Sequence, residues 1–185
     1  NDKYAKAIEQ AAGGRMYNVV VDTEITASLL LSRRCFDYGV TMIPMNKIVS
    51  KAIPQEKLKL IEQISNGEAK LALDLIKFDD QYRTAMQFVF GSTFICPTSE
   101  IAHKLAFNDS IRVKCVNLDG DIFDPTGLIT GGASRPGESI LKRVVDLSII
   151  QEKISNNKRS ILESKKELDE IVKGQKKINE FTNQL

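Results

Sequence analysis

The chain has 185 residues, enough for one large domain or two small ones and no more. Hydrophobic residues make up 42% and charged residues 27%, which provides for a core but leaves no apolar run long enough for a membrane span. With 26 basic and 24 acidic side chains the net charge is +2, so any contact with nucleic acid must come from a local patch rather than from the global balance. Cys35, Cys96 and Cys115 are too few and too far apart for a disulfide framework or a metal knuckle, which favours a reducing compartment. The chain opens Asn1-Asp2-Lys3 without an apolar leader and reads as a segment of something longer.

In chain order, Tyr4, Ile8 and Ala11 or Ala12 share one face of a short helix that stops at Gly13-Gly14. Met16 to Val21 predicts a buried strand, ending at Asp22-Thr23, either of which can cap a helix running through Ser32. Pro54 to Ser65 is helical by periodicity, Ala69 to Ile76 is strand-like, and Asp80 to Phe90 is helical. Gly91 to Cys96 is again an apolar strand, followed by Pro97-Thr98-Ser99-Glu100-Ile101 opening a helix to Phe107. The echo of Asp22-Thr23-Glu24-Ile25 in the Thr98-Ser99-Glu100-Ile101 run predicts two related strand–helix units, hence subdomains at 15–80 and 81–146. Arg112 to Leu118 alternates polar and apolar residues like a strand of an exposed sheet. Asp119-Gly120 then makes a turn and Ile122-Phe123 starts another strand. The body is therefore of the α+β (mixed α/β) class.

Beyond Asp146 the sequence changes character: all five prolines lie behind it, and Gly174 is the one glycine ahead. Counting by sevens from Leu147 aligns Leu147, Ile154, Ile161 and Leu168 at one core position and Ile150, Ile171, Ile178 and Leu185 at the other. Lys and Glu fill most of the space between, which is the signature of a coiled coil. Asn157, Ser164, Gln175 and Thr182 interrupt the seam and serve to fix its register. Residues 147–185 would form a helix about 60 Å long. Helix at 1–14 and again at 147–185 predicts a globular body inserted at the turn of an antiparallel coiled coil.

Motifs for chemistry mostly fail on their own residues. Gly132 to Ser139 has the spacing of a phosphate-binding loop, but Glu138 stands where lysine is needed and Pro136 removes a backbone donor. Asp119, Asp121 and Asp124 lack the spacing of a calcium loop and read as a solvated turn. His103 has no companion at ligand spacing and is read as structural. The three cysteines lack a local activating base and are assigned to core packing. No catalytic, metal or cofactor site is expected, and no small-molecule substrate; the chain is read as a non-enzyme.

The segment from Asn117 to Ser134 stands out, because Gly127, Gly131 and Gly132 bracket the strand-like Leu128-Ile129-Thr130. Glycine in such a stretch marks a bulge or a close approach of another backbone, which reads either as a Gly-rich turn or as an edge against which a second subunit packs. This segment resembles the glycine signature of the hinge domain of structural maintenance of chromosomes (SMC) proteins. So do Tyr17-Asn18-Val19-Val20-Val21-Asp22-Thr23-Glu24, Ile43-Pro44-Met45-Asn46-Lys47-Ile48 and Phe88-Val89-Phe90-Gly91-Ser92-Thr93-Phe94-Ile95-Cys96, in matching order. Within the family it is most similar to the condensin branch, on the Tyr17–Glu24 run and Gly120-Asp121-Ile122-Phe123-Asp124-Pro125.

The resemblance implies a hinge of two subdomains, each contacting one half of a partner hinge in a ring-like dimer with strand pairing across subunits. The expected partner is the hinge of a second, different SMC subunit, with Gly127, Gly131 and Gly132 at the interface and Leu128 and Ile129 as side-chain contacts. Bacterial hinges tend to carry a further glycine where this chain has Thr126, which argues against an equally tight homodimer. The resemblance also implies DNA contact through basic residues where hinge meets coil: Arg135, Lys142, Arg143, Lys153, Lys158 and Arg159. The family's ATPase heads would lie outside this chain, and its place would be the nucleus and chromosome, or the cytoplasm outside division. A self-associating hinge of another SMC paralogue, or a nucleic-acid module whose coiled coil sets oligomer state, are the rival readings.

Overall fold

The computed structural model describes residues 2–50, 52–132 and 140–182, with side chains from Lys3 to Gln175. In chain order the elements are α1 (Ala5–Ala12), β1 (Val19–Val21), α2 (Glu24–Ser32), β2 (Met42–Pro44), α3 (Gln55–Ile64), β3 (Lys70–Leu71), α4 (Arg83–Phe90), β4 (Thr93–Cys96), α5 (Ser99–Ala106), β5 (Lys114–Asn117), β6 (Ile122–Phe123), β7 (Ile129–Thr130) and α6 (Ile140–Thr182). Two compact units result, Asn1–Ser139 and Ile140–Leu185.

Thr23 and Thr98 each sit two residues past a strand, in extended backbone, and accept a hydrogen bond from the N–H three residues on, Thr26 and Ile101. Each cap satisfies a donor that the first turn leaves open, which is what turns strand into helix at these points. The chain then returns to a parallel strand: β1 pairs with β2 and β4 with β5. The body thus holds the two strand–helix units that the echo in the sequence predicts, each continued by a returning parallel strand that the echo does not show. The structural equivalence is Thr23 with Thr98, one position out of step with the letters of the echo. Asn46, just past β2, fastens the first unit: its Oδ1 accepts from Glu24 N–H at 3.2 Å and its Nδ2 donates to the Glu24 carboxylate.

The second unit is the core. Its sheet runs β3-β4-β5-β6-β7, antiparallel except at β4–β5. Alternate residues of a strand face opposite sides. Phe94, Cys96 and Cys115 pack with Ala102, Leu105 and Ala106 of α5 and Ile61 of α3. On the other side lies α1, which packs on β4 and β5 and buries Ala7, Ile8, Ala11 and Ala12. Covering both faces makes β4 buried along its whole length.

Three sequence expectations change here. Arg112 to Leu118 is not half of an exposed sheet: the strand is Lys114–Asn117, with Cys115, Val116 and Asn117 all buried. Its two polar side chains are reconciled with that position by hydrogen bonds, Lys114 Nζ to the Ala11 carbonyl and Asn117 Nδ2 to Ser99 Oγ. Ala69 to Ile76 supplies only two strand residues before a 3-10 turn at Ala72–Leu75 that carries Ala72 into the interior. Third, Ile53, Leu58, Leu60, Ile64, Ala69 and Leu71 pack on the core of the second sheet. Sheet membership therefore changes ahead of residue 70 rather than at residue 80.

The other compact body of the chain is α6 alone, beginning at Ile140, ahead of the first heptad position at Leu147. At 1.5 Å per residue its 43 residues measure about 65 Å. Leu147, Ile150, Ile154, Ile161, Leu168 and Ile171 of the heptad seam are all exposed. No described helix is long and apolar enough to cross a membrane.

Candidate dimer interface

The hairpins that end the sheet are built from short polar residues holding their own backbone. After β5, Gly120 takes φ +89°, a conformation that favours glycine, and donates its N–H to the Asn117 carbonyl at 3.1 Å. After β6, the Asp124 carboxylate accepts from the Thr126 N–H at 2.9 Å and from the Thr126 hydroxyl at 2.5 Å. Gly127, at φ +100°, closes the turn onto the Asp124 carbonyl, and Asp124 N–H donates to the Leu128 carbonyl at 2.9 Å. The Thr126 hydroxyl, followed by its backbone N–H, holds the Asp124 carboxyl below its ordinary value. Thr126 thus has a local task in this turn, and its backbone does not require glycine.

That turn delivers β7 to the end of the sheet. Ile129 faces Phe123 and Thr130 faces Ile122 on β6, and no described strand lies on the other side. Leu128 is 68% and Ile129 58% exposed. An edge of unpaired N–H and C=O groups beside exposed apolar side chains is a template for another strand.

The far end of β7 is fixed by a network that the sequence reading passed over. Asn117, 1% exposed, donates to Asp121 Oδ2 at 2.8 Å and accepts from the Asp121 N–H at 2.7 Å. Asp121 Oδ1 accepts from the Gly132 N–H at 3.2 Å. The network links β5, the start of α5 and the residue that follows Gly131. Its one sequence signal is an Asn closing an apolar strand with Asp four residues on.

The three expected interface glycines therefore have two different reasons. Gly127 and Gly132 adopt positive φ, +100° and +131°. Gly131 does not, but a Cβ there would stand 2.3 Å from Asp121 Oδ1. The close approach at Gly131 is to its own chain.

Of the expected DNA-contacting residues, Arg135 lies outside the described residues. Lys142, Arg143, Lys153, Lys158 and Arg159 are exposed on α6. At about 100° per residue, Lys142, Arg143 and Lys153 fall within one third of the helix circumference, while Lys158 and Arg159 point elsewhere. The structure does not gather the five into one stripe.

The remaining candidates also find their places. Of the loop at 132–139 only Gly132 is described. Asp121 and Asp124 are engaged in the bonds above, and no metal-suited group of three His, Cys, Asp or Glu occurs among the described residues. His103 stands edge-on to Phe107, with ring centroids 4.8 Å apart. Cys96 and Cys115 are buried on neighbouring strands. The neighbouring Cys96 thiol, with burial, pushes the Cys115 thiol far above its ordinary value, so it stays protonated, donates to the Val113 carbonyl and packs as a small apolar group. Cys35 departs from expectation: it is exposed, in the connection from α2 to β2, where no second layer covers it.

A model of the SMC proteins' flexible hinge domain matches residues 1–106. The chain belongs to the SMC hinge family. Among curated relatives it is 43% identical over 148 residues to structural maintenance of chromosomes protein 2 of Schizosaccharomyces pombe, covering 80% of this chain and 13% of that one. It is 40% identical over 149 residues to the human protein of the same name, covering 80% and 12%. With protein 2-2 of Arabidopsis thaliana it shares 38% over 179 residues, covering 97% and 15%. The chain thus spans less than a sixth of the length of these relatives. Its fold is similar to the asymmetric dimer of the Geobacillus stearothermophilus SMC hinge domain, with TM-score 0.72 and 28% identity, over 84% of this chain and 63% of that one. The folded elbow of cohesin is also similar, with TM-score 0.67 and 28% identity, over 86% and 22%.

Proposed function

We propose that the chain is the dimerisation hinge of a condensin SMC subunit, the one also called chromosome-associated protein E, and that it pairs through β7 with the hinge of a different SMC subunit. The observation that carries this is the edge position of β7, with Leu128 and Ile129 exposed beside it. Pairing of backbone across the edge supplies register, and burial of the two side chains supplies affinity. Similarity to relatives named structural maintenance of chromosomes protein 2 supports the condensin assignment. The test is solution mass by light scattering, for the chain alone and mixed with the hinge of the candidate partner. A monomer that becomes a one-to-one complex is the expected result. A homodimer indifferent to the partner overturns the heterodimer, and truncation after Ser139, where the first compact unit ends, then separates hinge from coil association.

DNA contact is the second part of the reading, through Lys142, Arg143 and Lys153 on one side of α6, with Arg135, Lys158 and Arg159 as further candidates. Exposed cations without interleaved aromatics favour sequence-independent contact with phosphates. Lys142→Glu with Arg143→Glu should weaken DNA binding and leave the hinge dimer intact. Loss of both together would instead place these residues in the dimer contact.

A further inference from the structure

Between the two sheets lies a cleft of about 630 Å³ that holds two cations. It is lined by the end of α1 with the turn after it, through Arg15, by β2 with the residues beside it, and by Lys114 of β5. The Arg15 guanidinium sits over the Phe88 ring, 4.9 Å from its centroid, which restrains it at the rim. Lys114 extends a half-buried stem, and its Nζ donates to the Ala11 carbonyl at 3.3 Å, using one of three protons. Among the described residues no Asp or Glu lines this cleft. Asp124 approaches Lys114 from the neighbouring hollow, with its carboxylate already accepting two bonds from Thr126. The Lys114 ammonium is held below its ordinary pKa, first by burial and then by Arg15, and Asp124 offsets only part of this.

A half-buried cation beside a second cation is an unfavourable arrangement that a bound anion reverses. Met42, Ile43 and Ile48 give the cleft an apolar side, which strengthens charge attraction within it. An Arg fork beside a Lys point charge matches the oxygens of a phosphate group. We propose that this cleft is an oxyanion site for a phosphate group, with Arg15 and Lys114 as its ligands. The proposal is independent of the dimer contact at β7 and uses none of the basic residues of α6. The phosphate belongs either to a small polyphosphate or to a nucleic-acid backbone.

Calorimetric titration of the 185-residue chain with pyrophosphate at low salt tests the site, followed by competition with a short oligothymidylate. One saturable pyrophosphate site is expected, weakened about tenfold or more by Arg15→Gln and by Lys114→Met. Lys104→Met, on α5, should leave it unchanged. NMR titration of Lys114 should show its pKa rising when pyrophosphate binds. Displacement by the oligonucleotide assigns the site to a nucleic-acid backbone, and its absence assigns it to a small phosphate; both outcomes uphold the site. Lack of saturable pyrophosphate binding overturns it, as does unchanged binding by Arg15→Gln, an exposed position whose loss leaves the core intact. Light scattering on the same samples keeps a failure of dimerisation separate from a failure of this site.

Discussion

A Cβ at residue 131 would meet the Asp121 carboxylate at 2.3 Å, whereas at 127 or 132 it would meet nothing within 4 Å. Gly131→Ala should therefore destabilise the chain by about 1–3 kcal/mol through overpacking, measured by urea unfolding. In an Asp121→Ala background that cost should shrink, because the obstructing group is gone; an unchanged cost would refute the steric account. Gly127→Ala and Gly132→Ala should each cost about 1–2 kcal/mol through backbone strain, and for Gly127 that cost should not depend on residue 121. Because all three substitutions act on the fold, a cleaner probe of the interface is Leu128→Asp with Ile129→Asp. Both positions are exposed, so unfolding should shift little while hinge association is lost. Asp124 adds a pH dependence. Its folded pKa lies below the ordinary carboxylate value of about 3.9, so the stabilisation is present above that value and is lost as pH falls through the folded pKa. Amide exchange at Gly127 and in β7, compared with that of β4, should accelerate in acid, and Thr126→Val should weaken that response.

At the scale of elements, the two helix starts were legible because Thr or Asp after an apolar strand has a local job that no distant residue must confirm, although the choice of Thr23 over Asp22 and the capping role of Thr98 came only from the structure. Thr98→Ala should cost about 0.5–2 kcal/mol by losing the bond to Ile101 N–H. Thr23→Ala should cost a similar amount, both read from denaturation midpoints. The heptad seam of α6 was legible for the same reason, since it is periodic along one helix. Strand β5 was misread because its alternation is real while its exposure depends on α1, more than 100 residues earlier in the chain. The shortness of β3 was equally hidden: its partner β4 accepts only two residues before the chain must turn to bury Ala72. In the candidate interface, the glycines were visible as a cluster. Asn117 and Asp121 were not, because an Asn and an Asp near a turn look solvated until the turn is folded.

At the scale of the molecule, the proposed association through the exposed β7 edge is distinguished from association through the exposed seam of α6 by removing the helix. Mixing with the partner hinge should produce a complex that survives truncation after Ser139, and that Leu128→Asp with Ile129→Asp abolishes. DNA affinity should fall steeply with salt, its log–log slope growing with the number of phosphates contacted. Lys142→Glu with Arg143→Glu should reduce that slope, as measured by anisotropy across a salt series.

Sequence alone determined what is local or repeated in this protein: the capped strand–helix units, the helical periodicities, the glycine segment at a sheet edge and the family it resembles. These depend on neighbours within a few residues, or on a pattern that survives without knowledge of what packs where. Tertiary structure decided which faces are covered, which sheet residues 53–71 pack against, why Gly131 is glycine, and that Arg15 and Lys114 line one cleft. Those outcomes join residues separated by tens of positions, and only burial and distance in the folded chain bring them into one physical environment.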